Sequence, residues 1–472
     1  MKCNAPGKIA ALMVLVVCSF PVGVSAQPPR GLSGVDGSGW PLERINCRDG
    51  RTFSGWIRHE NDRQIELVEV GRPPGRPMYL LVRPIKTAEI AKIVRLDKAD
   101  RELLRQRIDA FRNRAGILAA LIDDVRLSQQ RKNGDLTWHY DGPWFTLESW
   151  AEEQLTREAI VRIEQTFAAY RTILAPRRDA PRPLRIVLVG SVQQFRDLLT
   201  SAGLNISSSA FFDPRQNLIV AGGDLATFAR RLKEARAHHA DLKKQMSEDG
   251  ARAEQLAQEL NKALESQGVD PEKRRQVVGA ARAQYQEQRR SLLRKISQAE
   301  QKNGEMYYRQ FTRLYHEAFH AYLDNYVFDP QDYEVPRWLN EGWAQIFEAG
   351  LLDVNTLRID APRADLLAGL AADLRGETPL RLTDVLLTPT ADYVSGHQAA
   401  AANVGRLYRA SWGLAWYLTF EKQLLGTPEM EAYLRRDSGE RRAIERFEKL
   451  VGQKLPAFEA QWRQRMLQLT PR

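Results

Sequence analysis

The sequence predicts an α+β fold in which a small β domain precedes a larger mixed body interrupted by a long helical hairpin. Three observations carry this reading. Apolar residues alternate along residues 43–96 between turn-forming dipeptides. Over most of the remaining chain they recur every three or four residues, as on one face of a helix. Between residues 226 and 303 aromatic residues thin out, charge becomes dense, and small or apolar residues fall into heptads. With 472 residues, 43% of them hydrophobic, the chain can bury more than one core, which excludes a disordered or fibrous protein.

Taken in order, residues 1–26 read as a secretory leader. Lys2 and Lys8 precede the apolar stretch Ile9 to Phe20, and Val24-Ser25-Ala26 offers a small-residue cleavage site before Gln27. The expected location is therefore secreted or periplasmic. Residues 27–42, rich in Pro, Gly and Ser, form a flexible lead-in. Cys3 and Cys18 fall in the leader, so Cys47 alone remains; an internal disulfide and a thiolate metal site are both excluded. No later stretch is apolar and long enough to span a bilayer. The formal charge of +10 falls to +8 without Lys2 and Lys8 of the leader, a modest excess that favours acidic substrates or anionic surfaces, but no basic motif is interleaved with aromatics, which argues against a nucleic-acid partner.

In residues 43–96, Ile45, Cys47, Phe53, Ile57, Ile65, Leu67, Leu80, Val82, Ile90 and Ile93 alternate, with turns at Asp49-Gly50, Asn61-Asp62 and Arg72-Pro73-Pro74-Gly75. A small barrel of the Sm-like or SH3-like kind is expected. Residues 97–132 form a linking helix, with Leu104, Ile108, Phe111 and Leu118 among its apolar positions. The body, residues 133–472, opens with a strand near Trp144 to Leu147, a helix from about Ser149 to Leu174, and strands at Leu184 to Val189 and Asn217 to Ala221. Within it, residues 226–303 read as a coiled helical hairpin. Leu232, Ala235, Leu242, Met246, Ala253, Leu256, Leu260 and Ala263 make one stripe; Val278, Ala281, Tyr285, Leu292, Ile296 and Ala299 make the other. Gly268-Val269-Asp270-Pro271 supplies the turn, an N-cap and a first-turn proline. The hairpin is either a solvated spacer or an arm that docks a partner or a second copy.

Chemistry concentrates at Tyr315 to Tyr322, Y-H-E-A-F-H-A-Y. On a helix, His316 and His320 lie one turn apart on one face, where both imidazoles reach a single metal at about 2.0 to 2.1 Å. Glu317 then stands beside the open coordination position. Glu341 follows about twenty residues after His320 in Pro336-Arg337-Trp338-Leu339-Asn340-Glu341-Gly342-Trp343-Ala344, a spacing that lets a second helix return a carboxylate to the metal.

W-L-N-E-G-W-A resembles the N-E-G-x-A segment of gluzincins, the peptidase MA-like zinc enzymes that include thermolysin-like enzymes and zinc aminopeptidases. The likeness spans about Phe311 to Leu418. It implies a gluzincin-like catalytic domain binding one zinc ion, with His316, His320 and Glu341 as ligands, Glu317 as general base, and a peptide or protein as substrate. It also implies an oxyanion donor. Tyr408, in Tyr408-Arg409-Ala410-Ser411-Trp412 at the opening of an apolar helix, is the expected donor; His397 is the alternative. The G-x-M-E-N segment usual in zinc aminopeptidases is absent from the sequence, which weighs against aminopeptidase activity. The competing reading is a zinc-bearing or inactive peptidase-like scaffold, for which a base beside the metal would have no use.

Overall fold

The structure, a computed structural model, describes residues 40–73, 78–132, 135–180, 182–201, 209–353, 356–359, 362–389, 393, 401–436 and 443–469. The expected leader, most of the lead-in and His397 lie outside the described residues. The fold is α+β with two main sheets, as the pattern predicts.

The first sheet contains β1 (Glu43–Cys47), β2 (Thr52–Glu60), β3 (Gln64–Gly71), β4 (Tyr79–Lys86) and β5 (Ile90–Val94), paired antiparallel in the order β4-β3-β2-β1-β5. The expected closed barrel does not form: among the described residues β4 and β5 remain the two edges. Closure is not needed to bury the apolar side chains. Ile45, Ile57, Ile65, Leu67 and Ile85 fill one face. On the other, Val68 and Val70 pack against Leu104, Ile108 and Phe111 of helix α1 (Lys98–Arg112), so a helix does what barrel closure would have done.

The single linking helix expected over residues 97–132 is also corrected. It breaks at Asn113, resumes as α2 (Arg114–Asp124), and stops before β6 (Ser128–Lys132). The Ser-Gln-Gln-Arg-Lys run of β6 is polar on both faces and carries no periodic signal; backbone pairing with β7 (Asp135–Asp141) makes it an edge strand.

β8 (Phe145–Ser149) runs parallel to β9 (Leu184–Leu188), joined by the crossover helix α3 (Glu153–Ile173). α4 (Val192–Ser201) leads to β10 (Ala210–Asp213) and β11 (Leu218–Ala221). The sheet order is β10-β11-β9-β8-β7-β6, which leaves β10 on an edge.

α5 (Gly223–Ser266) and α6 (Pro271–Tyr322) form the hairpin, with Asp270 capping α6 by accepting from the Glu272 and Lys273 amides at 2.8 and 3.3 Å. The returning arm does not end at residue 303: it runs unbroken into the segment carrying His316 and His320. The buried stripe of α5 also differs from the expected one beyond Met246. Ala257 is buried while Leu256 is 57% exposed, because the inward positions step through Met246, Gly250, Ala253, Ala257 and Leu260, a 4-3-4-3 rhythm that passes Leu256 by.

A π-turn, Leu323–Val327, ends α6, and α7 (Arg337–Glu348) follows. Next come the short hairpin β12 (Leu351–Asp353) and β13 (Thr356–Arg358), then α8 (Ala364–Arg375), α9 (Leu382–Leu387), α10 (Ala401–Trp416), α11 (Pro428–Leu434), α12 (Ala443–Val451) and α13 (Leu455–Gln468). The main core locks α3, α6 and α7 together through Phe167, Tyr170, Phe319, Tyr322 and Phe347. Two buried phenols set the register of α6: Tyr170 donates to the Tyr315 carbonyl at 2.9 Å and Tyr322 to the Leu174 carbonyl at 2.6 Å. No helix among the described residues is long and apolar enough to cross a membrane.

Candidate metal centre

The C-terminal turns of α6 and the middle of α7 are pressed together by this core, and the sequence contains a reason for the close approach. A Cβ on Gly342 would lie 2.5 Å from the Ser411 carbonyl oxygen and 2.5 Å from the Ala415 Cβ. Glycine at this position therefore lets α7 seat directly on α10, with Glu341 turned toward α6. Gln345, one turn on, donates to the Glu341 and Tyr408 carbonyls at 3.2 and 3.1 Å and ties the same two helices.

Among the described residues, His316, His320 and Glu341 form a buried group whose ligand-type atoms all lie within 4.8 Å of one another. His316 Nε2 stands 3.2 Å from Glu341 Oε2, and His320 Nε2 stands 3.5 Å from Glu341 Oε1. Ligand atoms placed tetrahedrally about 2.0 to 2.1 Å from one zinc ion are separated by roughly 3.4 Å, so these spacings fit such an ion. The donor set fits as well, being two imidazoles and a carboxylate.

Each imidazole is oriented from behind. Nδ1 of His316 donates to Glu348 Oε2 at 2.7 Å, and Nδ1 of His320 donates to Asn340 Oδ1 at 2.8 Å, leaving both Nε2 atoms facing Glu341. Three arginines match three carboxylates: Arg313 with Glu317 at 2.7 Å, Arg337 with Glu341 at 2.5 Å, and Arg363 with Glu348 at 2.7 Å.

Burial and Arg313 oppose a charge on His316, but its hydrogen bonds to Glu341 and Glu348 prevail and lift it to about 9. Burial is also the largest influence on His320; His316 and Arg337 add to it against the pull of Glu341, and His320 falls to about 3. Burial likewise opposes the Glu341 charge, yet His320, Arg337 and His316 hold that carboxyl well below the usual range. These shifts favour a charged His316 ring beside the Glu341 carboxylate and a neutral His320.

Glu317 occupies the expected position one residue beyond His316, and both of its oxygens are engaged: Oε2 accepts from the Phe212 amide of β10 at 2.9 Å and Oε1 pairs with Arg313. Tyr408 lies in the middle of α10, not at the opening of a helix as the sequence suggested, because the helix begins at Ala401. Its hydroxyl donates to the Tyr393 carbonyl at 3.2 Å. Burial, reinforced by Glu341, raises its pKa despite Arg337 and Arg313. Tyr393 itself is fully buried against Ser411, with hydroxyl oxygens 2.8 Å apart.

Sequence reasoning missed Arg313, Arg337, Asn340, Glu348, Arg363 and the Phe212 amide. The pairs Arg313/Glu317 and Arg337/Glu341 carry the four-residue spacing of helical ion pairs, and Glu348 lies two turns after Glu341, so these three had a local signal. Phe212 and Arg363 had none. No protein family, curated protein or solved structure matches the chain.

Proposed function

We propose that the chain is a zinc-dependent peptidase of the gluzincin kind, with His316, His320 and Glu341 holding the metal and Glu317 acting as general base. The observation that carries this reading is the buried two-histidine, one-glutamate group with each distal imidazole nitrogen fixed by its own acceptor. Two imidazoles held from behind at Nδ1, with their Nε2 atoms turned toward one carboxylate, supply the donor set and orientation that a zinc site uses.

Zinc bound there would supply Lewis-acid polarisation of a carbonyl and a more acidic water. The remaining work falls to this chain. Glu317 accepts the proton of the attacking water and delivers it to the leaving amine. Tyr408, whose phenol feels the charges of Glu341 and Glu317, is the assigned donor to the carbonyl oxygen as negative charge develops on it, exchanging its bond to the Tyr393 carbonyl for that role. Glu348 and Asn340 hold the imidazole tautomers, and Arg337 holds Glu341 ionised in its buried setting.

The test is hydrolysis of a mixed peptide library by the zinc-loaded chain, read by mass spectrometry. Glu317→Gln keeps shape but takes no proton from water, so it retains zinc and loses roughly a hundred- to ten-thousandfold in turnover. Tyr408→Phe loses about a hundredfold with zinc retained. Cleavage by Glu317→Gln at the wild-type rate would refute the mechanism.

A further inference from the structure

The proposed base is held at both oxygens, and the two partners differ in kind. The Phe212 amide belongs to the edge strand β10 and is fixed by the backbone. Arg313 is a long side chain one helical turn before Glu317, and it is the more open member of its pair: its side chain is 29% exposed, against 7% for Glu317. The other two arginine–carboxylate pairs support the metal group. Arg337 braces the ligand Glu341, and Arg363 braces Glu348 behind His316 while also binding Asp365. The Arg313–Glu317 pair occupies the oxygen that the mechanism needs for the water proton. Arg313 also feels the charges of Glu341 and Glu348, which favour its charged form against burial.

We infer that Arg313 is a substrate-recognition residue that exchanges Glu317 for a carboxylate of the peptide next to the scissile bond. This rests on the peptidase reading above and narrows its substrate class to peptides bearing a carboxylate at that position, whether the C-terminal carboxylate or an Asp or Glu side chain. The exchange conserves the ion pairing. One guanidinium–carboxylate pair is given up and another is made, so Arg313 keeps a carboxylate partner while Glu317 Oε1 is left open to water. A neutral peptide offers Arg313 no replacement and leaves the base engaged. Recognition and release of the base are then one event.

The experiment is titration calorimetry on the full zinc-loaded chain with three short peptides of one neutral sequence. The first has a free C-terminal carboxylate, the second a C-terminal amide, and the third a C-terminal amide with Glu replacing the residue beside the expected scissile bond. Glu317→Gln, which does not turn the peptides over, serves as the binding-competent protein. At least one carboxylate peptide is expected to bind about tenfold or more tightly than the neutral amide, and which one identifies the source of the carboxylate. In Arg313→Gln/Glu317→Gln that preference vanishes, while Arg313→Lys/Glu317→Gln keeps part of it. Circular dichroism and zinc content verify that each variant is folded. Equal binding of all three peptides, or a preference that survives Arg313→Gln, overturns the inference. Binding is read without turnover, so failure of the peptidase reading would show separately, as wild-type chain with full zinc that cuts none of the three.

Discussion

Glu348 lies behind His316, a proposed metal ligand, and its expected effect is correspondingly specific. Its Oε2 accepts from His316 Nδ1 at 2.7 Å, and Arg363 holds its other oxygen at 2.7 Å. Glu348→Gln keeps the shape but weakens the charge-assisted bond that orients the ring, so zinc affinity falls about ten- to a hundredfold, measured by competition with a chromophoric chelator. Unchanged affinity would remove Glu348 from the site. The metal-free protein also carries a defined pH signature. His316 is raised from 6.5 to about 9, so its stabilising contribution is complete below pH 6.5 and is lost as the pH rises through 9. His320 is lowered from 6.5 to about 3, so its burial as a neutral ring costs nothing above pH 6.5 and destabilises progressively as the pH falls from there toward 3. Thermal melts of chelator-treated protein are therefore expected to reflect a maximum from this pair near pH 6.5. Zinc binding at pH 7.5 releases a proton, visible as a dependence of the calorimetric heat on buffer ionisation enthalpy. Binding heats independent of buffer would contradict a charged His316 in the metal-free protein.

At the level of elements, the close seat of α7 on α10 is the feature most exposed to a single substitution. Gly342→Ala drives a methyl into the Ser411 carbonyl and the Ala415 side chain, and costs about 1–3 kcal/mol of stability, read by denaturant unfolding. Because Glu341 precedes it directly, zinc affinity falls in parallel; a variant as stable as wild type would show that α7 has room to shift. The hairpin behaves oppositely. Tyr285 donates to the Met246 carbonyl at 3.3 Å, and the pairs Lys243–Glu300 and Arg274–Glu265 each close at 2.8 Å, all within the hairpin. Excising Lys233 to Gln301 behind a short flexible linker is expected to leave a folded body that still binds zinc, by circular dichroism and elemental analysis. Aggregation of the trimmed chain would make the hairpin part of the core. These helices were legible because their periodicity is local. The heptad slip at Leu256 was not, because Ala253, Leu256 and Ala257 satisfy either register until a partner helix selects one. β6 was not legible either, since Ser128–Lys132 is polar throughout and owes its conformation to β7.

Across the whole molecule, the first sheet is tied to the body by a buried contact distant in sequence: Arg358, 1% exposed, donates to the Pro73 carbonyl at 3.0 Å. Such contacts explain which parts of the candidate site the sequence revealed. His316, Glu317, His320 and Glu341 fall within two adjoining helices and announce themselves by spacing. The Phe212 amide reaches Glu317 only because the sheet places β10 against α6, and no local pattern encodes that meeting. Tyr408 was located by its segment, but the bond from its hydroxyl to the Tyr393 carbonyl joins residues far enough apart in sequence that no local pattern encodes it. The central proposal built on these arrangements is that the buried His316–His320–Glu341 group, whose ligand-type atoms lie within 4.8 Å of one another, holds zinc. The most direct measurement is the zinc content of the purified wild-type chain beside His320→Ala, by elemental analysis after removal of loosely bound metal. The account predicts one zinc per wild-type chain and a folded His320→Ala protein that has lost it. Wild-type chain that takes up no zinc, or His320→Ala that keeps a full equivalent, would contradict it.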